Sequence, residues 1–267
     1  MRRPRFDTES GPGGLWNPKL PELSHTLNAF QLALPYLEPY FIDAVKQVQG
    51  QIKDPKLAAD AAAFCAQEAN HAREHKRYCR YLQKRYPRLK EFEVSIQQSL
   101  IRSRRRDPIE WRLAYTAGYE VITAQVARWL FRRAPDWFEG ADPQVAQLMT
   151  WHAAEEIEHR SVAYDVLQTV NTSYALRAAG LVAAFAKTYI DMTSIITYML
   201  TVDGYASLRD SKKRRNAMRA EILKELAPAF VRYLMPGYHP SKEAEPAGYA
   251  EWMREHAYDI GAERGIA

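Results

Sequence analysis

Two segments of the sequence repeat the pattern Glu-x-x-His, and their spacing constrains the fold more than any other feature does. The first segment carries Glu68 and His71, and the second carries Glu156 and His159. Residues three positions apart lie on one face of an α-helix, so each pair predicts a helix with both side chains on the same side. A carboxylate is costly to bury unless it is paired or bound to a metal. The repeat therefore predicts two helices that contribute to one metal site.

Further residues that can bind metal lie on the same two helix faces. His75 lies one turn beyond the first pair. His152 and Glu155 share the face of the second pair, whereas Glu158 falls off it. Such residues either bind a metal directly or orient its ligands and move protons. We therefore regard His75, His152 and Glu155 as candidate catalytic residues, and the sequence leaves direct metal binding open for each.

Two more glutamates stand in apolar surroundings on other predicted helices. Glu38 follows Leu37 in an apolar patch, and Glu120 lies between Tyr119 and Val121. The order Glu, Glu-x-x-His, Glu, Glu-x-x-His is the ligand order of carboxylate-bridged di-metal helix bundles. The predicted metal ligands are Glu38, Glu68, His71, Glu120, Glu156 and His159. Such a set suits iron or manganese and accepts zinc.

This pattern resembles that of the ferritin-like di-iron carboxylate superfamily over about residues 25–170. The segments Phe-x-x-Gln-Glu-x-x-His-x-x-x-His from Phe64 to His75, and Trp-His-x-x-Glu-Glu-x-Glu-His from Trp151 to His159, are similar to a bacterial family of predicted metal-dependent hydrolases. The resemblance implies a helical bundle around two metals. It implies hydrolysis by the family's description, and oxidation or oxygenation by the geometry of the superfamily motif. Some superfamily members have a seventh ligand, which one of the three additional residues would supply.

The composition favours an all-α fold. Glycine is sparse, at 12 residues, and helix-forming residues are abundant. No run of alternating β-branched residues is long enough to predict a sheet. We predict a ferritin-like four-helix bundle with additional C-terminal helices. Residues 1–22 form an irregular arm and residues 23–267 a single metal-binding domain, with the core at about 24–170 and the extra helices at about 174–267.

Local signals place the helix ends. Asp54-Pro55, Asp107-Pro108 and Asp142-Pro143 each predict a helix start, with the aspartate as cap and the proline at the first position. These helices should end near Arg85, Phe131 and Val170, with a turn over residues 134–142. The first helix should begin near Ser24. Pro35 and Pro39 predict a kink or a restart within it.

Residues 174–203 form a fifth helical pattern that is rich in apolar residues. Its length nearly suffices to span a bilayer, but Lys187 and Asp191 interrupt it at a spacing that allows an ion pair. The pattern is typical of a buried or partner-facing helix, with membrane contact as the alternative. A basic helix follows at about residues 210–226, and the tail after residue 247 has room for one short helix.

The net charge of +5 arises largely from arginine and lysine runs near residues 102–106 and 212–215. We interpret these runs as solvated, with a phosphate or anionic lipid as the alternative partner. No nucleic-acid motif accompanies them. Cys65 and Cys79 are too far apart on one predicted helix to pair with each other, which fits a reducing cytosol. The N-terminus lacks an apolar secretory signal. We therefore expect a cytoplasmic protein.

The leading functional hypothesis is a non-haem di-iron oxidoreductase that activates dioxygen towards an apolar or amphipathic organic substrate. The cofactors are two metal ions, iron by preference, with manganese or zinc as alternatives. Rival hypotheses are hydrolysis by metal-activated water, iron handling by a ferritin-like protein, and a metal-free helical interaction module. The expected partners are a small organic substrate, dioxygen, an electron-donor protein and a second copy in a homodimer, with no nucleic acid.

Overall fold

The computed structural model describes Pro4, Phe6, Asp7 and residues 15–256, and the described residues contain helices but no strand. The α-helices are α1 (Pro21–Val48), α2 (Pro55–Arg85), α3 (Leu89–Arg106), α4 (Ile109–Trp137), α5 (Pro143–Glu158), α6 (Val162–Val170), α7 (Tyr174–Val202), α8 (Arg209–Tyr233) and α9 (Tyr249–Glu255). Helix α1 packs along α2, and α4 packs along α5. The predicted all-α helical bundle is thereby confirmed. Half of the predicted N-terminal arm and the end of the tail lie outside the described residues.

Two of the three predicted aspartate caps are present. The Asp54 carboxylate accepts a hydrogen bond from the backbone N–H of Lys56, and the Asp142 carboxylate accepts two at the start of α5. The Asp107 cap was predicted wrongly, because its carboxylate accepts the Ser103 hydroxyl at 2.5 Å instead. The start at Ser24 was also wrong. Helix α1 begins at Pro21, and the Ser24 hydroxyl donates to the backbone oxygen of Asn17.

Several helices continue through a proline, so the predicted restart within the first helix was wrong. Helix α1 continues through Pro35 and Pro39, and α8 continues through Pro228 to Tyr233. Helix α4 runs through Pro135 to Trp137, so the predicted turn begins later than expected. The fourth predicted helix is instead two helices, because α5 ends at Glu158 and α6 begins at Val162.

The described N-terminal residues are packed against the bundle although they form no helix. Phe6 is buried, and its ring centroid lies 5.5 Å from that of Trp151. The side-chain amide of Asn17 donates to the backbone oxygen of Trp137 at 2.7 Å. Phe6 thus packs on the middle of α5, and Asn17 contacts the end of α4.

Helices α4 and α7 approach each other closely at two glycines. A Cβ atom at Gly180 would lie 2.2 Å from the backbone oxygen of Ala114, and one at Gly118 would lie 2.6 Å from the Leu181 Cα. Only glycine allows backbones to approach in this way. The two positions therefore fix α7 against the bundle.

The other side of α7 is open to solvent. Val182 and Ile190 are exposed, and Lys187 forms the predicted ion pair with Asp191. By length and composition alone, α7 is apolar enough to cross a membrane, and 22% of its most apolar window is buried. A soluble protein's core helix has the same length and composition, so the choice between a partner and a membrane for this helix stays a prediction.

Candidate metal centre

The predicted site residues gather in the interior of the bundle from four helices. Helix α1 contributes Glu38, α2 contributes Glu68, His71 and His75, and α4 contributes Glu120. The others are His152, Glu155 and Glu156 on α5, and His159 directly after its end. Each of the nine residues is at most 5% exposed. Nine ionisable residues in one buried region require compensation for their lost hydration.

Four of these residues form a first group, Glu68, His71, Glu156 and His159, whose ligand atoms all lie within 4.8 Å of one another. Glu68 Oε1 lies 3.0 Å from His159 Nε2 and 3.5 Å from His71 Nδ1. Glu156 Oε1 lies 3.7 Å from His71 Nδ1. The repeated Glu-x-x-His pairs thus face each other across α2 and α5. We call these four residues the Glu-His group.

A second group contains Glu38, His75 and His152, whose ligand atoms also lie within 4.8 Å of one another. Glu38 Oε1 lies 3.6 Å from His75 Nε2 and 3.7 Å from His152 Nε2. The same His152 nitrogen lies 2.8 Å from Glu156 Oε1, so the two groups adjoin. Glu38 is therefore close to both of the additional histidines on the ligand faces.

Glu120 contacts the Glu-His group at His159. Its Oε2 is 3.2 Å from His159 Nδ1, while His159 Nε2 points towards Glu68. The structure thus brings all six predicted ligands into one region. Four of them form the Glu-His group, Glu38 lies in the second group, and Glu120 contacts His159 of the Glu-His group.

Glu155 contacts the side of the His71 ring that faces away from the other three members of the Glu-His group. Its carboxylate accepts a hydrogen bond from His71 Nε2 at 3.0 Å and another from the Trp151 indole N–H at 3.0 Å. A carboxylate can only accept, so His71 carries its proton on Nε2 and presents Nδ1 to Glu68 and Glu156. This arrangement fixes the orientation of His71. We had not predicted the role of Trp151, although its position four residues before Glu155 on the same face was a usable signal.

The carboxylates of the site have divergent acidities. Burial, reinforced by the nearby Glu68 carboxylate, raises the pKa of Glu38 well above its ordinary value. Burial and Glu156 raise the pKa of Glu120 to about 8. Burial would also raise the pKa of Glu68, but the adjacent His159 and His71 rings lower it below its ordinary value. Opposite charges and close carboxylates thus decide which groups ionise.

The histidines of the site also differ in the direction in which their pKa values are shifted. Burial disfavours protonation of His71 and His159, but carboxylates on both sides raise their pKa above the ordinary value. Burial lowers the pKa of His75 well below its ordinary value, and the neighbouring His152 adds to this effect. Burial also lowers the pKa of His152. His75 and His152 therefore stay neutral, which is the form that binds metals.

Several polar atoms of the site are buried without a hydrogen-bond partner. They include both carboxylate oxygens of Glu38, both ring nitrogens of His75, and one ring nitrogen each of His71, His152 and His159. Such atoms cost free energy unless something satisfies them. Metal cations would do so, and carboxylate and imidazole donors suit iron, manganese and zinc. The residues present therefore fit a dinuclear metal centre.

Comparison with known proteins supports the same interpretation. The sequence profile of a family described as predicted metal-dependent hydrolase matches residues 1–244. No curated protein matches the chain, and no solved structure does. The matched range contains every residue of the site and most of the bundle around it. The chain therefore belongs to the family of predicted metal-dependent hydrolases.

Proposed function

We propose that the protein is a ferritin-like dinuclear oxidoreductase in which two iron ions activate dioxygen towards an apolar or amphipathic organic substrate. The observation that carries the proposal is the buried set of three glutamates and four histidines with unpaired donor atoms, next to an apolar cavity. Two ferrous ions bound there would supply the electrons that reduce dioxygen. No thiolate belongs to the set, so it suits iron or manganese better than soft ions such as Cu(I).

The geometry suggests which residues hold the ions. Glu68 and Glu156 are the carboxylates of the Glu-His group and would hold the ions through oxygen, and His71 and His159 would each supply one nitrogen ligand. Glu120 would complete the His159 side. Glu38 would complete the other side, together with His152 or His75.

The surrounding residues orient the ligands and exclude water. Glu155 holds His71 in one orientation, and the Trp151 ring lies edge-on to it with centroids 4.9 Å apart. The Phe64 ring packs in the same way on His159 at 5.0 Å. Neutral His75 and His152 present ring nitrogens next to Glu38. These contacts favour chemistry that is protected from bulk water.

Hydrolysis by metal-activated water is the second candidate, because the family is described by that activity. The same ligands accept zinc, which lowers the pKa of a bound water without redox chemistry. This alternative predicts activity in the absence of oxygen.

The experiment that separates the two candidates compares protein loaded anaerobically with ferrous iron and protein loaded with zinc. We expect the ferrous protein to consume dioxygen with a change in its optical spectrum, and a His71→Ala, His159→Ala double variant to do neither. The exposed Glu158→Gln change, next to His159, serves as the control. It should leave the dioxygen consumption and the spectral change as they are in the wild type. Ferrous protein that is inert to dioxygen, together with ester hydrolysis by the zinc form, would exclude the oxidoreductase.

A further inference from the structure

A cavity of about 100 Å³ lies between α1, α4, α7 and α8. Its lining is mostly apolar and includes Leu27, Val126, Met192 and Leu226. A water molecule needs only about 10–15 Å³, so the cavity is not limited by size, but an apolar lining offers water few partners. Its chemistry therefore suits a hydrocarbon.

This cavity leads towards the metal centre. A smaller cavity of about 20 Å³ shares Leu27, Phe30 and Val126 with the larger one. His152 and Glu156 line the smaller cavity as well. These shared apolar side chains therefore lie between the larger cavity and a space that two candidate metal ligands line.

The outer end of the cavity carries one uncompensated positive charge. Arg219 lines the cavity and is exposed, so it lies where the cavity meets solvent. Glu225, the other charged lining residue, is paired with Arg132. Within the described part of the chain, no carboxylate is within ion-pair distance of Arg219. An anionic head group would complement this charge.

We propose that this cavity is the substrate site and that the substrate is a single-chain amphipathic anion. Its hydrocarbon chain occupies the space between α1, α4, α7 and α8, with the inner end directed at Leu27, Phe30 and Val126. Its head group contacts Arg219. This inference rests on the proposed function, because it assigns the substrate class of the same metal centre.

The test measures binding by titration calorimetry to the full chain without oxygen, so that no turnover is needed. Octanoate, decanoate and dodecanoate serve as probes. We expect each added methylene to tighten binding by about threefold to fourfold until the cavity is full. Affinity that does not depend on chain length would overturn the assignment of the cavity.

Variants of the lining residues locate the bound hydrocarbon chain. Val126→Trp fills the inner cavity and should weaken dodecanoate binding by about tenfold or more. The same change at Val182, which is 61% exposed and outside the cavity, should have no effect. Leu223→Trp narrows the outer end at a residue that is 51% exposed, so it should fold even if Val126→Trp does not. Unchanged affinity in Leu223→Trp and in folded Val126→Trp would contradict the proposal.

The head group is tested separately. Arg219→Gln should weaken dodecanoate by about threefold to fivefold and leave dodecanol unchanged, because only the anion loses an ion pair. Lys224→Gln, an exposed change of the same charge on α8 outside the lining, is the control and should affect neither probe. Equal binding of dodecanoate, dodecanol and dodecylamine would exclude an anionic substrate. If the protein binds dodecanoate but is inert to dioxygen, only the proposed oxidoreductase activity is refuted. If it reacts with dioxygen but does not bind dodecanoate, only this inference is refuted.

Discussion

At the scale of single residues, the contacts of Glu155 explain why this helix face carries more carboxylates than metal binding requires. Glu155 is completely buried, and it accepts hydrogen bonds from His71 and Trp151 rather than facing the Glu-His group. Its interaction with His71 has the form of the carboxylate–histidine–metal triads that orient ligands in metalloproteins. Glu155 is thus a positioning residue for His71.

We predict that Glu155→Gln weakens metal binding by about tenfold to a hundredfold, because an amide orients His71 less firmly and leaves it less basic. Glu158→Gln is the matched control, since Glu158 lies on the same helix but accepts a hydrogen bond from Gln67 outside the site. Metal affinity by competition with a chromophoric chelator measures the effect. Equal affinities in the two variants would remove the assigned role.

Asp203 connects three helices and gives the protein a pH-dependent stability. Its carboxylate accepts hydrogen bonds from His25 on α1 at 2.9 Å, Arg85 at the end of α2 at 2.7 Å, and the Tyr86 hydroxyl at 2.8 Å. Burial alone would raise the pKa of Asp203, but hydrogen bonds from His25, Tyr86 and Arg85 outweigh it and lower the pKa to about 2.

A carboxyl whose pKa is lower in the folded state stabilises the fold above its unfolded value of 3.8, and this contribution is lost as the pH falls towards about 2. We therefore expect the unfolding free energy of the wild type to fall by about 1 kcal/mol more than that of Asp203→Asn between about pH 5 and about pH 3. Urea unfolding at both pH values measures the difference, with exposed Asp210→Asn as the control. The same pH dependence in wild type and Asp203→Asn would refute the assignment.

At the scale of helices, local chemistry predicted what depends on a few neighbouring residues. The Asp54-Pro55 and Asp142-Pro143 starts need only a capping carboxylate and a proline, and both are present. The continuation of α4 through Pro135 was not predictable in this way. It depends on tertiary contacts such as the hydrogen bond that the Asn17 side-chain amide donates to the Trp137 backbone oxygen at 2.7 Å. The break at the end of α5 places His159 outside a regular helix, and no glycine or proline marked it.

The contact between α4 and α7 yields a prediction at this scale. Alanine favours a helix over glycine by about 1 kcal/mol, so Gly180→Ala would stabilise an isolated α7. In the bundle, its Cβ would meet the Ala114 backbone oxygen at 2.2 Å, and overpacking typically costs about 1–3 kcal/mol or more. We expect a net loss of stability in urea unfolding.

Gly50→Ala is the control for this substitution, because a Cβ at Gly50 meets no atom within 4 Å. It should leave the unfolding midpoint nearly unchanged. Two equally stable variants would show that α4 and α7 can separate at little cost, contrary to the close packing described above.

At the scale of the whole molecule, the sequence predicted which residues lie close together, but not how they are distributed between the two groups of candidate ligands. The Glu-x-x-His spacing brought His71 and His159 to one site because helical periodicity fixes the face of each side chain. The proximity of Glu38 to His75 and His152 depends instead on how α1 is rotated against α2 and α5. The cavity between α1, α4, α7 and α8 was unpredictable for the same reason, since its walls come from distant parts of the chain.

Metal removal should destabilise the whole protein, because the apo site leaves buried donor atoms unpaired and holds several carboxylates close together. Free metal at about 100 times its dissociation constant adds about 2.7 kcal/mol to stability if only the folded state binds it. The thermal midpoint should therefore fall on dialysis against a chelator and recover on adding metal. A His71→Ala, His159→Ala double variant should show no such shift, and an equal shift in this variant would place the metal elsewhere.

The most direct test of the dinuclear centre is a crystal structure of iron-loaded protein with data collected on both sides of the iron absorption edge. We predict two anomalous peaks roughly 3.5–4 Å apart, both within bonding distance of Glu68 and Glu156, one beside His71 and the other beside His159. A single peak, or peaks confined to the protein surface, would contradict the account.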